Sequence, residues 1–221
     1  MRIKSFNERA SALVAALGLA GMLASCATLE KNPNVAGTFS DKLSPYNYKD
    51  EGDLVLMVVG VEAARFIRKE PYFPLFVQIA NKTKGTFSIN RESFTLEDSL
   101  GRQYPMAPAR DVAEKYPRID LDRALFRQNR SITTTGADVY NFISSNFFPT
   151  TSGRGLLIEQ VSLPPFNYME DILYFPIPES GLNGVPLRLL FKVQSLEEPI
   201  MVRFEVPKTL GIFEKEEGAK Q

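Results

Sequence analysis

The chain has 221 residues, with 26 basic against 26 acidic side chains, 16 phenylalanines, one cysteine, and neither histidine nor tryptophan. That balance of charge leaves no electrostatic footprint for nucleic acid. Without histidine there is no Ser-His or Cys-His nucleophile pair, and a single thiol can build neither a disulfide nor a cysteine-ligated metal site.

The chain opens with Arg2, Lys4 and Arg9, followed by an apolar run from Ala10 to Ala24. A membrane-spanning helix needs roughly 20 apolar residues, and this run is shorter and broken by Ser11, Gly18 and Gly21. Charge followed by a short apolar run is the order of a secretory signal, here spanning residues 1–25.

The run ends in Leu23-Ala24-Ser25-Cys26, which resembles the lipobox of bacterial lipoproteins: a large aliphatic residue, two small ones, then cysteine. The resemblance implies that diacylglycerol is joined to the Cys26 thiol, that the signal is cut away just before it, and that the new amine is acylated. Each acyl CH₂ buried in a bilayer is worth about 0.8 kcal/mol, so two or more chains give a lasting membrane anchor. Lipid on Cys26 is the only covalent group expected, with no cofactor. Ala27 stands where the family's inner-membrane retention signal would be aspartate, which implies the periplasmic face of the outer membrane in a two-membrane cell. The competing readings are an ordinary secretory signal with a chance cysteine, or an uncleaved anchor. Against both, the chain's only cysteine falls where the lipobox requires one.

Residues 26–52 are rich in Lys, Asn, Pro, Ser, Gly and Asp and read as a flexible tether, a composition that cannot bury enough surface to offset chain entropy. A β-rich domain is predicted over 53–210. Leu54 to Val61 reads as a central strand. Tyr72 to Asn81 alternates Phe73, Leu75, Val77 and Ile79 against Pro74, Phe76, Gln78 and Ala80, with Pro74 marking an edge or a strand start. After the Asn81 turn come Phe87 and Ile89, then Phe94 and Leu96, then a turn at Asp98 to Gly101 leading to Tyr104. Strands every eight to twelve residues signal a sandwich or barrel.

A helical insertion is predicted over about 109–148. It comprises a short helix from Ala109 to Tyr116, a helix capped by Asp120 in which Leu121, Ala124 and Leu125 share a face, and a third helix from Ala137 to Ser145. Strands resume at Leu156 to Leu163 and Ile172 to Ile177. The clearest alternation follows in Leu187 to Val193 and Ile200 to Val206. Residues 211–221 read as a disordered tail.

The expected fold is mainly β, an immunoglobulin-like antiparallel β-sandwich with a short helical insertion. Tyr72 to Tyr104, with its Asn81 turn, Phe94-Thr95-Leu96-Glu97-Asp98 and Gly101, is similar to the telokin-like, immunoglobulin-type domains of bacterial envelope lipoproteins. Leu173-Tyr174-Phe175-Pro176 and the strands near 190 and 203 fit the second half of that pattern.

Chemistry is sparse. Glu97 beside Asp98 and Glu170 beside Asp171 would point to opposite faces of their strands. Asp120 and Asp122 suit a helix cap better than a calcium loop, and Gly153-Arg154-Gly155 reads as a turn rather than a phosphate cradle. No catalytic residue and no metal site are expected. The first functional expectation is therefore a non-catalytic module that binds an envelope protein, with Tyr140, Phe142, Phe147 and Phe148 as an aromatic anchor patch. The alternative is a carrier of a lipid or other apolar ligand, which would require a barrel enclosing a phenylalanine-lined cavity.

Overall fold

The structure, a computed structural model, describes residues 39–133, 140–148 and 158–208. In chain order its strands are β1 (Asp41–Ser44), β2 (Asn47–Glu51), β3 (Val55–Gly60), β4 (Tyr72–Asn81), β5 (Phe87–Asn90), β6 (Phe94–Asp98) and β7 (Gln103–Pro105). Helices α1 (Ala109–Lys115) and α2 (Ile119–Thr133) follow. The chain then forms β8 (Asn141–Ser144), β9 (Gln160–Leu163), β10 (Asn167–Pro176), β11 (Pro186–Phe191) and β12 (Ile200–Glu205).

These strands make a mainly β sandwich with a short helical insertion. A six-stranded sheet runs β1-β2-β3-β4-β10-β8, a four-stranded sheet runs β12-β11-β6-β7, and β5 pairs with β9. Every pairing is antiparallel except that of β8 with β10. The sheets meet where the Tyr48 ring lies 6.3 Å from that of Phe204. Inward side chains come from alternate positions: Phe73, Leu75, Val77 and Ile79 of β4 on one side, and Leu96, Leu189, Phe191, Val202 and Phe204 on the other, all buried. This is the inside-outside alternation that a half-buried strand requires.

The β4 strand is also covered on its outer face, because α2 crosses it and packs Phe126 on Phe76 with ring centroids 4.4 Å apart. Pro74 is buried near the start of β4, where only one side of the strand is paired. It pairs with Tyr174 of β10, while the pairing of β4 with β3 extends only as far as Phe76, so no ladder bond to β3 is asked of the missing N–H. Close packing also explains Gly60: a Cβ there would fall 2.7 Å from Asn47 Oδ1 and 3.1 Å from the Phe76 side chain.

The structure corrects three readings of the sequence. The segment read as tether contributes β1 and β2, and Tyr48 is fully buried. Its polar composition hides this because β1 lies at the sheet edge with mostly exposed side chains. One prediction follows from its place in the sheet: the Tyr48 hydroxyl donates to the Glu205 carbonyl at 3.2 Å, so Tyr48→Phe should lower unfolding free energy by about 1 kcal/mol. A urea melt unchanged by the substitution would mean that this hydrogen bond contributes nothing to stability.

The second correction concerns residues 141–144, read as helical but forming β8, which pairs in parallel register from Asn141↔Asn167 to Ser144↔Glu170. Four residues cannot establish a helical period, and pairing with β10 satisfies the backbone instead. The third concerns α2. Asp120 lies in its first turn rather than at its cap. The inward face carries Ile119 and Asp122, both buried, while Leu121 is 49% exposed. Residues 137–139, 149–157 and 209–221 lie outside the described residues, with the parts of the predicted third helix, of the Leu156 strand, of the glycine-flanked Arg154 turn and of the tail that fall on them.

Candidate functional site

Cys26 and the signal segment lie outside the described residues. Of the four aromatic residues expected to form an anchor patch, the structure separates two from the rest. Phe147 and Phe148 are buried core residues. Phe147 packs edge-on against Phe94 at 6.2 Å and Phe148 against Tyr174 at 4.9 Å. The Arg91 guanidinium fastens them by donating to the Phe147 carbonyl at 3.0 Å and to the Ala107 carbonyl, with its carbon 4.6 Å from the centre of the Phe148 ring. Nothing local in the sequence links Arg91 to residues 147–148, so their burial is a tertiary outcome.

Tyr140 is half-buried and Phe142 is 44% exposed. The ring beside Phe142 is that of Tyr168, 5.3 Å away, and a second exposed ring, Phe166, was passed over by sequence reasoning. Phe166 is 56% exposed, its carbonyl accepts a hydrogen bond from Asn141 N, and its φ of 55° is a left-handed backbone angle uncommon for a side chain of that size.

The sheets do not close into a barrel, and the phenylalanines that would have lined its cavity pack on one another: Phe191 lies 5.4 Å from Phe94 and 6.3 Å from Phe87. The space in this protein lies elsewhere. β8 pairs with β10 only as far as Glu170; beyond it the Tyr174 carbonyl accepts from Ala107 N at 2.8 Å, and α2 passes beside this stretch. Between them is a cleft of about 200 Å³. Arg123, Phe126 and Arg127 of α2 line it together with Glu170, Asp171, Ile172 and Tyr174 of β10, and Phe142, Ser145, Asn146 and Phe148 close one end.

The polar groups of the cleft are held in place by named partners. Arg123 donates to Asn146 Oδ1 and to the Phe148 carbonyl, each at 3.0 Å. Asp171 accepts from Phe147 N at 2.9 Å and from Ile172 N at 2.8 Å. Desolvation pushes its carboxyl up to about 6 in spite of those bonds and the nearby Arg123 charge. Behind the cleft wall, Asp122 Oδ2 accepts from Tyr116 at 2.6 Å and from Tyr174 at 3.3 Å, whereas its buried Oδ1 has no hydrogen-bond partner. Desolvation raises Asp122 to about 6, and burial beside that carboxylate raises both tyrosines. The sequence carries one faint sign of this arrangement, an aspartate spaced like a core position of α2 behind Ile119.

Asp98 is buried, while Glu97 on the other face forms an ion pair with Arg188; Glu170 and Asp171 both border the cleft, the first bonded to Gln78 and the second to Phe147 N. Among the described residues no group of three or more His, Cys, Asp or Glu is placed to hold a metal ion. Among the same residues no helix is long and apolar enough to cross a membrane.

No protein-family model matches the chain, and no curated protein matches it. Two solved structures from Bacillus subtilis are similar in part. One is ycdA, a candidate lipoprotein, with a TM-score of 0.38 at 11% identity over 71% of this chain; the match spans 38% of the length of that protein. The other is the yjhA protein, with a TM-score of 0.35 at 11% identity, covering 65% of this chain and 76% of that one. At these scores the likeness carries no argument about function.

Proposed function

We propose that the chain is a lipid-anchored, non-catalytic module of the bacterial cell envelope, whose β-sandwich is held on the periplasmic face of the outer membrane and docks an envelope protein. The observation that carries this reading is Leu23-Ala24-Ser25-Cys26, in which the only cysteine of the chain closes a lipobox at the end of a charged-then-apolar leader. Ser40 is bonded to Arg203 and Phe39 packs on Tyr48, so residues 27–38 would link the anchor to the sandwich, a stretch that at full extension reaches on the order of 40 Å at about 3.3 Å per residue. The exposed rings of Phe142 and Phe166 support a docking role, since aromatic side chains concentrate at the centres of protein interfaces.

The test is intact mass of the membrane-extracted protein beside Cys26→Ala, together with separation of inner and outer membranes. The expected mass is that of residues 26–221 plus acyl groups, with the protein in the outer-membrane fraction. The Cys26→Ala protein is expected to lose the acyl mass and leave that fraction. An unmodified or uncleaved wild-type mass would overturn the anchor.

A further inference from the structure

We propose that one end of the sandwich, the rim carrying Leu54 and Phe166, seats those two side chains in the bilayer that anchors the chain. The inference rests on the lipid anchor and adds a second, non-covalent membrane contact to it, leaving Phe142 to the protein partner.

A row of backbone hydrogen bonds assembles this rim. Lys82 N donates to the Leu54 carbonyl at 2.9 Å, Phe166 N to the Asn81 carbonyl at 2.9 Å, and Asn141 N to the Phe166 carbonyl at 3.2 Å. The turn into β3, the end of β4 and the turn into β10 therefore lie side by side, with Leu54 and Phe166 two strand spacings apart, roughly 10 Å. Leu54 is 50% exposed and Phe166 56%. The φ of 55° at Phe166 is one that favours glycine, yet a bulky ring stands there with both of its backbone groups bonded. Backbone strain of this kind persists where a site makes use of it. Leucine and phenylalanine are side chains that interfacial elements sink into the boundary between headgroups and acyl chains.

The route of the chain brings this end to the membrane. Asp41 pairs with Lys49 and Ser44 with Asn47, so the chain comes into β1 from the Glu51 end of β2, the end that turns into Leu54. A linker from Cys26 would meet the sandwich on the side of this rim. The opposite end lies on the order of 30 Å away, since β10 spans ten residues at about 3.3 Å each. Turning that end to the bilayer would take most of a linker reach of about 40 Å. Tethering also places the domain at an effective concentration of mM order, at which two apolar side chains can hold it on the surface.

Charge defines the kind of surface. Lys49, Lys82 and Lys84 are matched in number by Asp50, Glu51 and Asp53, and Glu51 forms ion pairs with Lys49 and Lys82. A rim without net charge gains nothing from anionic lipid, so it fits a bilayer through apolar insertion, whatever the headgroup charge.

The chain has no tryptophan, so a single introduced indole reports alone. Phe166→Trp, Leu54→Trp and Leu100→Trp proteins are extracted from membranes, checked for acyl groups by intact mass, and floated with phosphatidylcholine vesicles brominated along the acyl chains. Leu100 is the control: it is 73% exposed, and its turn is tied through Arg102 to Glu179, beyond the far end of β10. The indoles at 54 and 166 are expected to shift to the blue and lose at least about half of their emission, being seated about 5–10 Å into the boundary. The indole at 100 should do neither. Added phosphatidylglycerol or high salt should leave the quenching unchanged. Leu54→Asp combined with Phe166→Trp should remove most of the quenching at an unchanged melting temperature. The inference is overturned if acylated, floated protein shows indoles at 54 and 166 no more quenched than that at 100, as a rim docked on another protein would give, or if Leu54→Asp changes nothing. Protein without acyl groups that fails to float overturns the anchor and the inference with it, and the mass tells the two failures apart.

Discussion

Replacing Asp98 with alanine is expected to destabilise the domain by about 1.5–3 kcal/mol, because buried donors lose a charged acceptor while Arg102, 37% exposed, regains water. Asp98 is fully buried at the end of β6 and organises the hairpin to β7. Its Oδ1 accepts from Leu100 N at 2.9 Å and Arg102 N at 3.0 Å. Its Oδ2 accepts from Arg102 Nε at 2.8 Å and the Tyr104 hydroxyl at 3.1 Å. Gly101, at φ 78°, turns the chain where a side chain would be strained. Arg102 in turn forms an ion pair with Glu179, and Glu179 N donates to the Tyr104 hydroxyl at 3.2 Å, so the network ties the hairpin to the segment that follows β10.

Desolvation alone would raise the Asp98 carboxyl, but the bonds from Arg102, Leu100 and Tyr104 outweigh it and hold it at about 2. Asp98→Asn keeps one acceptor oxygen for the backbone and is expected to cost less than Asp98→Ala. Urea unfolding of the two variants measures the difference. A loss below about 1 kcal/mol for the alanine variant, the level of an exposed pair, would show that the network contributes little.

The second large effect is with pH: acidification from neutrality toward pH 5 should make the domain more stable. Asp122 and Asp171 are held at about 6 in the folded chain, against an ordinary value of 3.8. Between those values the folded state retains protons that the unfolded state has released, so stability falls as pH rises through that window. The favourable contribution is complete below 3.8 and lost above about 6. For Asp122, which is 1% exposed, the shift corresponds to on the order of 3 kcal/mol. Asp171 is half-buried and contributes less. Asp98 acts in the opposite sense, stabilising above 3.8 and losing that contribution as pH falls toward 2.

For these three carboxyls the windows meet at 3.8, so stability should peak close to that value and fall on either side. Asp122→Asn cannot ionise and should remove most of the slope between pH 5 and 7 while raising stability at neutral pH. Chemical denaturation across that range would contradict the assignment if wild type and Asp122→Asn showed the same pH slope.

Much of the fold is legible in the sequence, for a physical reason visible strand by strand. In β6, β11 and β12 side chains alternate across a surface with one face better covered, so burial imprints a period of two on the sequence, and β4, although α2 covers part of its outer face, has the bounds its alternation predicts. Alternation is a poorer guide to β10, which runs from Asn167, five residues before the predicted start. Both of its faces are covered over part of its length, and Glu170 and Asp171 interrupt the apolar pattern while keeping partners of their own.

The candidate site was legible only in fragments. Arg123, Arg127, Phe142 and Asp171 are unremarkable along the chain, and the cleft exists because β8 stops at Ser144 while β10 continues to Pro176. By itself the sequence determined the mainly β class, the register of the clearest strands, the helical interruption and the absence of histidine and paired thiols. Tertiary structure decided which aromatics are core and which are surface, that residues 141–144 pair as a strand, and that α2 turns Asp122 inward and Leu121 outward. Those outcomes depend on partners far away in the chain: the Tyr116 and Tyr174 hydroxyls that receive Asp122, the guanidinium of Arg91 that fastens Phe147 and Phe148, and the β10 backbone that pairs with β8. Periodicity records which face of an element is covered, but not what covers it.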